Sequence, residues 1–166
     1  MNVETARLAA LCAVIDQDLR AIDRWDAEVD AASPALDSEQ AGFRDLAPIA
    51  YALHNIYNAL ENTFEQISRT FENHVTDPAQ WHKELLSKMF LEIPHVRPAV
   101  LPEPLRAHLG DLRGFCHVLR HGYDFELDAE KLARLVRDWR AAKITLREAL
   151  ARFRDRLLAQ VARGSE

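Results

Sequence analysis

Leu46-Ala-Pro-Ile-Ala-Tyr-Ala-Leu-His-Asn-Ile-Tyr-Asn-Ala-Leu-Glu-Asn-Thr-Phe-Glu-Gln-Ile-Ser-Arg-Thr-Phe71 is the stretch whose reading decides the fold. Leu46, Ile49, Leu53, Ile56, Leu60, Phe64, Ile67 and Phe71 recur at steps of three or four. That spacing lays them on one stripe of a helix, close to a heptad seam. The length suits a bundle helix running to about Asn73. Pro48 lies near its beginning, so the regular part starts there or the helix kinks.

The same periodicity continues on both sides. Leu8, Leu11, Ile15, Leu19, Ile22, Trp25 and Val29 form an earlier stripe that Ser33-Pro34 closes, because proline disfavours helix at the residue before it. Asp77-Pro78 reads as a helix start, and a third helix over about 78–92 carries Trp81, Leu85, Met89 and Ile93. Pro94, Pro98, Pro102 and Pro104 punctuate an extended connector in which Val96, Val100 and Leu101 call for burial. A fourth helix over about 103–121 is stopped by Gly122. Asp128 caps a long last helix lined by Leu132, Leu135, Trp139, Leu146, Leu150, Phe153, Leu157 and Val161. No segment alternates with period two. The expectation is an all-α antiparallel bundle of about five helices, one domain over residues 1–166.

Composition bounds the function. Hydrophobic residues make up 48% and charged residues 28%, ordinary for a globular chain that buries its own core. Cys12 and Cys116 give neither a disulfide framework nor metal-ligand spacing. No signal peptide and no membrane-length apolar run is visible, so a cytoplasmic protein is expected. A net charge of −5 argues against a general coat for nucleic acid, which gains affinity from Lys and Arg. One segment runs against that charge. Arg106, His108, Arg113, His117, Arg120 and His121 face a single acid, Asp111, between Arg106 and Tyr123.

On the fourth helix, Leu105, Leu112, Phe115 and Leu119 fall on one side. Arg113, His117, Arg120 and His121 fall on the other, with Cys116 at the margin. Their three- and four-residue spacings let all four point into one groove. Mutual repulsion makes this a poor choice for helix stability, but phosphate oxygens would satisfy it. The plainer account is a solvated basic face near a helix C-terminus, where cations also gain from the dipole. A metal is disfavoured, since His117 and His121 are flanked by arginines with no Glu between them. Cys116 and His117 are adjacent and do not face each other on a helix, so a nucleophilic pair is poorly supported and Cys116 reads as a semi-buried packing residue.

At these residues the chain resembles the HepT-like toxins of the HEPN superfamily. Their signature is Arg, four to six residues, His, any residue, Tyr, and His121-Gly122-Tyr123 matches its second half. His117 suits the polar slot that follows the signature arginine. Leu53-His-Asn-Ile-Tyr-Asn-Ala-Leu-Glu61, Trp81-His-Lys-Glu-Leu-Leu-Ser-Lys-Met89 with Arg97-Pro98, and Phe115-Cys-His-Val-Leu-Arg-His-Gly-Tyr123 are similar to successive family segments, covering roughly residues 40–127. The resemblance implies a HEPN-like helical bundle and a metal-independent endoribonuclease toxin acting on RNA without a cofactor. It also implies a homodimer and a partner, a minimal nucleotidyltransferase antitoxin that can adenylylate Tyr123.

The chemistry follows from residue types. RNA carries its own nucleophile in the 2′-OH. A neutral imidazole takes that proton and an imidazolium protonates the leaving 5′ oxygen, and histidine titrates where both roles are open. An arginine holds the phosphate and stabilises its added charge. This makes His121 the acid/base, Tyr123 a hydrogen-bond donor that positions the phosphate, and His117 a neighbour in the site; the resemblance adds Tyr123 as a modification site. Five residues before His121, the place for the signature arginine, stands Cys116. Arg113 and Arg120 are the available substitutes. Two rival expectations follow: a catalytically weakened subunit that binds and is modified by the nucleotidyltransferase, or a non-enzymatic helical interaction module. His54, Asn55, Tyr57 and Asn58 form a polar patch expected near the cleft, Glu61 could pair with one of the arginines, and His82 reads as surface. Asp16, Asp18, Asp23, Asp26, Glu28 and Asp30 read as a solvated face open to a basic antitoxin.

Overall fold

The computed structural model describes residues 3–72, 80–122 and 125–164. They form five helices: α1 (Val3–Ala32), α2 (Phe43–Phe71), α3 (Trp81–Met89), α4 (Arg106–His121) and α5 (Ala129–Arg163). Short 3-10 turns at Ser33–Asp37 and Glu103–Leu105 follow α1 and lead into α4. Among the described residues there is no strand, and an isolated bridge joins Ile93 and Arg97. The fold is the all-α bundle that the periodicity implies.

The helix ends have local causes. Gly42 N–H donates to the Asp45 carboxylate at 2.9 Å, which starts α2 before Pro48 rather than at it. The helix runs on through the proline. Asp128 Oδ1 accepts from the backbone N–H groups of Glu130 and Lys131 at 2.9 and 3.3 Å, the expected cap of α5. α3 stops at Met89, short of the expected 92, because the connector doubles back on it. Val100 and Leu101 both donate their backbone N–H to the Met89 carbonyl, at 2.9 and 3.0 Å. The expected start signal at Asp77-Pro78 lies outside the described residues.

The apolar stripes converge on one core. Ile15, Ile22, Ile49, Leu53, Ile56, Leu60, Phe64, Leu109, Phe115, Leu146 and Leu150 are all essentially inaccessible. Phe71 is only partly buried, and so is Val161. Val96 departs from expectation by standing exposed at the tip of the Ile93–Arg97 turn, while Val100 and Leu101 are buried. His95, beside it, has φ of 63°, a left-handed conformation that histidine tolerates better than branched residues do.

Ion pairs join the helices. Along α1, Asp16, Asp23, Asp26 and Asp30 meet Arg154, Arg147, Lys143 and Arg140 of α5 in reverse order, as antiparallel neighbours must. Asp18 is turned inward at 7% exposure and accepts from Asn62 and Thr63 of α2. The acidic face expected to be solvated and open to an antitoxin is thus largely engaged within the chain, because α5 presents a basic stripe at matching spacing. No helix of the described residues is long and apolar enough to cross a membrane.

Candidate functional site

The site forms where α4 ends against the middle of α2, with the first turn of α3 alongside. Leu109, Leu112 and Phe115 anchor α4 in the core, which fixes the rotation of the helix. That rotation turns Arg113, His117, Arg120 and His121 away from the core, but it does not put them in one groove. His117 and His121 are exposed, one turn apart, with ring centroids separated by 4.7 Å. Arg120 leans instead onto α2. Its guanidinium donates to Asn58 Oδ1 and, at 3.4 Å, to Glu61 Oε1. Arg113 is half-buried beside Tyr57, whose phenol feels its charge, and among the described residues it makes no hydrogen bond or ion pair.

Glu61 explains part of the cationic stripe. Its residue is 8% exposed, yet the carboxylate has two partners. One oxygen faces Arg120 and the other lies 2.7 Å from His82 Nδ1. A carboxylate only accepts, so His82 Nδ1 carries the proton in this contact. The expected pairing of Glu61 with a focal arginine is present, through Arg120. His82, expected at the surface, has a side chain about one-third exposed (37%), and it also closes the far side of Glu61, with Trp81 packed edge-on at 4.8 Å. Nothing in the sequence joins His82 to the Glu61–Arg120 pair, because the contact exists only once three helices pack.

Cys116 is more enclosed than a marginal packing residue. It is 1% exposed, and burial pushes its thiol up to about 12, with Arg120 pulling down and Glu61 pushing up. It is neutral and shielded. The position that the spacing assigns to the signature arginine therefore points into the protein, beside Tyr57 and the Arg120–Glu61 pair. Tyr57 is buried as well, and burial together with the Glu61 charge raises its phenol far above the usual range. Asn55, by contrast, turns back on its own helix and donates to the Tyr51 carbonyl at 2.8 Å.

The end of α4 is shaped by Gly122. A Cβ there would lie 2.7 Å from the Val118 carbonyl oxygen and 3.1 Å from Phe125 Cβ. Without one, the Gly122 N–H closes the last turn on Val118, and Phe125 packs edge-on against Phe115. His121 is thereby the last helical residue. Tyr123 lies outside the described residues.

A groove of about 370 Å³ opens on the other side of Arg120, between the start of α2 and the end of α4. His54 lines it, and its Nδ1 is enclosed without a hydrogen-bond partner among the described residues. Burial and then the Arg120 charge hold this imidazole below its ordinary 6.5, against the pull of Glu61. His54 is a neutral ring near neutral pH.

A family model described as HepT-like protein matches residues 48–157. The matched stretch runs from Pro48 in α2 to Leu157 in α5 and includes α3 and α4 entire. No curated protein and no solved structure matches the chain.

Proposed function

The chain belongs to the HepT-like family of the HEPN superfamily, and from that premise we propose that it is the toxin of a toxin–antitoxin pair, a metal-independent endoribonuclease. It works in the cytoplasm as a homodimer, and its partner is a minimal nucleotidyltransferase that adenylylates Tyr123. The observation that carries the nuclease reading is the exposed His117–His121 pair at the end of α4, ring centroids 4.7 Å apart, with the charged Arg120 on the same last turn. Arg113 is two turns back, about 12 Å along the axis at 1.5 Å per residue. Along the helix, Arg120 is the nearer of the two arginines to His121.

In this mechanism the 2′ oxygen attacks the adjacent phosphorus and the bond from phosphorus to the 5′ oxygen breaks. A cyclic 2′,3′-phosphate and a free 5′-hydroxyl result. One imidazole of the His117–His121 pair takes the 2′ proton, and the other, protonated, delivers a proton to the departing 5′ oxygen. Arg120 holds the non-bridging oxygens as charge builds on them. Glu61 and Asn58 fix the guanidinium from behind, which is how a group is held ready before the substrate arrives.

The test is cleavage of single-stranded RNA in chelator. His121→Ala and Arg120→Ala each lower the rate by about 10²–10³, whereas Arg113→Ala changes it little. A folded native chain that leaves RNA intact without metal ends this reading. Cys116→Arg is a poor rescue variant, because the new guanidinium would start from a buried position.

A second reading is favoured by the occupation of Arg120. Glu61 and Asn58 already satisfy the guanidinium, and Cys116 supplies no other. The chain would then be a weakened subunit that serves as substrate of the nucleotidyltransferase. Incubation of the pair with ATP, followed by mass spectrometry, adds one AMP at Tyr123 if this holds. An unmodified Tyr123 removes it.

A further inference from the structure

We propose that the groove between the start of α2 and the end of α4 is a nucleobase subsite, which takes the base of the nucleotide whose phosphate Arg120 holds. This rests on the reading of the chain as an RNA-binding nuclease, and adds to it a site outside the histidine pair. Phe43 lies in the groove although it precedes the matched residues 48–157.

The walls suit a flat heteroaromatic ring. Phe43 and Tyr51 are 69% and 58% exposed, unusual for aromatic side chains of a bundle, and both line the same groove. Tyr51 is held by an edge-on contact with Trp25, ring centroids 5.3 Å apart at 86°. A stacking face is therefore already fixed. Ala47 keeps one wall low, and Leu119 supplies an apolar surface from α4. Aromatic faces with an apolar floor bind unstacked bases of any sequence.

The polar groups sit at one end. His54 brings a neutral ring whose enclosed Nδ1 has no partner among the described residues, a group that a base edge or a bridging water could satisfy. Arg120 lies at the same end and also reaches Glu61 and Asn58. The base of a nucleotide would lie in the groove, and its phosphate would meet the guanidinium N–H that Glu61 and Asn58 leave open. Charge supports this occupant over an acidic protein surface lacking an aromatic insert. The chain carries −5 overall, but the groove borders Arg120 and, among the described residues, no carboxylate lines it.

Binding is measured by titration calorimetry on the full chain with three probes: adenosine 5′-monophosphate, uridine 5′-monophosphate and ribose 5-phosphate. Both nucleotides bind more tightly than the base-free sugar phosphate. Tyr51→Ala weakens nucleotide binding about fivefold to a hundredfold and leaves ribose 5-phosphate unchanged. Ala47→Leu, which fills the groove without removing an aromatic ring, has the same effect. Equal binding of all three probes overturns the proposal, as does nucleotide binding that neither variant changes. A Tyr51→Ala chain that turns monomeric with its nucleotide affinity intact also overturns it, and assigns the groove to a second copy. RNA cleavage is followed in parallel. Cleavage without base-dependent binding defeats the subsite alone, and base-dependent binding without cleavage defeats the nuclease reading alone.

Discussion

Cys116 shows what residue-level reading can and cannot supply. Spacing from His121 marks it as the signature position, and the helix repeat puts it at the edge of the apolar face. Neither tells which way that edge is turned, since a small rotation of α4 moves the residue from surface to core. Packing of Leu112 and Phe115 settles it at 1% exposure. Two outcomes follow. With its thiol pushed up to about 12, Cys116 in the native chain resists alkylation by iodoacetamide at pH 8 and reacts only on unfolding, as peptide mapping with and without denaturant would show. Labelling at the rate of a free thiol would contradict the burial. Cys116→Arg buries a charge whose nearest anion, Glu61, is already shared, and costs about 3 kcal/mol or more. Thermal unfolding reads this as a midpoint lower by roughly 6–12 °C, at about 2–4 °C per kcal/mol for a chain of this size. Gly122 makes the complementary case. Its role was legible as a helix stop, but the reason is a carbonyl 2.7 Å from any Cβ. Gly122→Ala must displace the segment that follows His121. It lowers RNA cleavage more than it lowers the unfolding midpoint, as paired rate and melting measurements would show. Equal proportional losses would mean that the residue matters only for folding.

Helices were legible where an apolar stripe runs for several turns, as along α2 and α5. Legibility failed at α3, which ends early because Met89 gives its carbonyl to the returning connector. That return is held by a group whose partners lie far apart in sequence. Arg97 is 4% exposed and binds Glu72 together with the carbonyls of Lys88, Leu91 and Pro98. Lys88 adds a second cation at 3.2 Å from Glu72. The end of α2, the end of α3 and the connector meet at this one carboxylate. Burial by itself would raise the Glu72 carboxyl, but hydrogen bonds and charge from Arg97, then Lys88, hold it below its ordinary 4.5. The unfolded chain therefore binds the extra proton first as pH falls. The pair's contribution is complete above about pH 4.5 and is lost as pH drops through the lower folded value. Stability measured by urea unfolding between pH 7 and pH 3 declines below 4.5, and Glu72→Gln flattens that decline while lowering stability at pH 7. Breaking the buried pair costs about 3–5 kcal/mol there. An unchanged pH slope in Glu72→Gln would place the acid sensitivity elsewhere.

At the scale of the whole molecule the periodicity of α1, α2 and α5 was enough to give the bundle, yet the candidate site needed tertiary contacts. Glu61 and Arg120 could be suspected of pairing, whereas His82 and the groove beside Tyr51 had no signal in spacing or composition. The acidic face of α1 illustrates the same gap: six carboxylates read as solvated, and the partner stripe stands more than a hundred residues away on α5. Not all of these pairs matter equally. Arg147 and Asp23 are 41% and 52% exposed, so their pairing is worth no more than about 1 kcal/mol and fades in salt. Asp26 is 22% exposed and takes two partners, Lys143 Nζ and Trp139 Nε1, each at 2.8 Å. Trp139 is 3% exposed, so losing its acceptor leaves an indole N–H enclosed and unmet. Asp26→Ala therefore costs about 1–3 kcal/mol more than Asp23→Ala. Raising salt from 0.05 to about 1 M shrinks the Asp23 penalty, because the Debye length falls to about 3 Å, but leaves most of the Asp26 penalty in place. Urea midpoints for the two variants at both salt concentrations separate these contributions. Matching penalties that vanish together in salt would mean that α1 and α5 are joined by surface charge alone, and that the Trp139–Asp26 contact adds nothing to the joint.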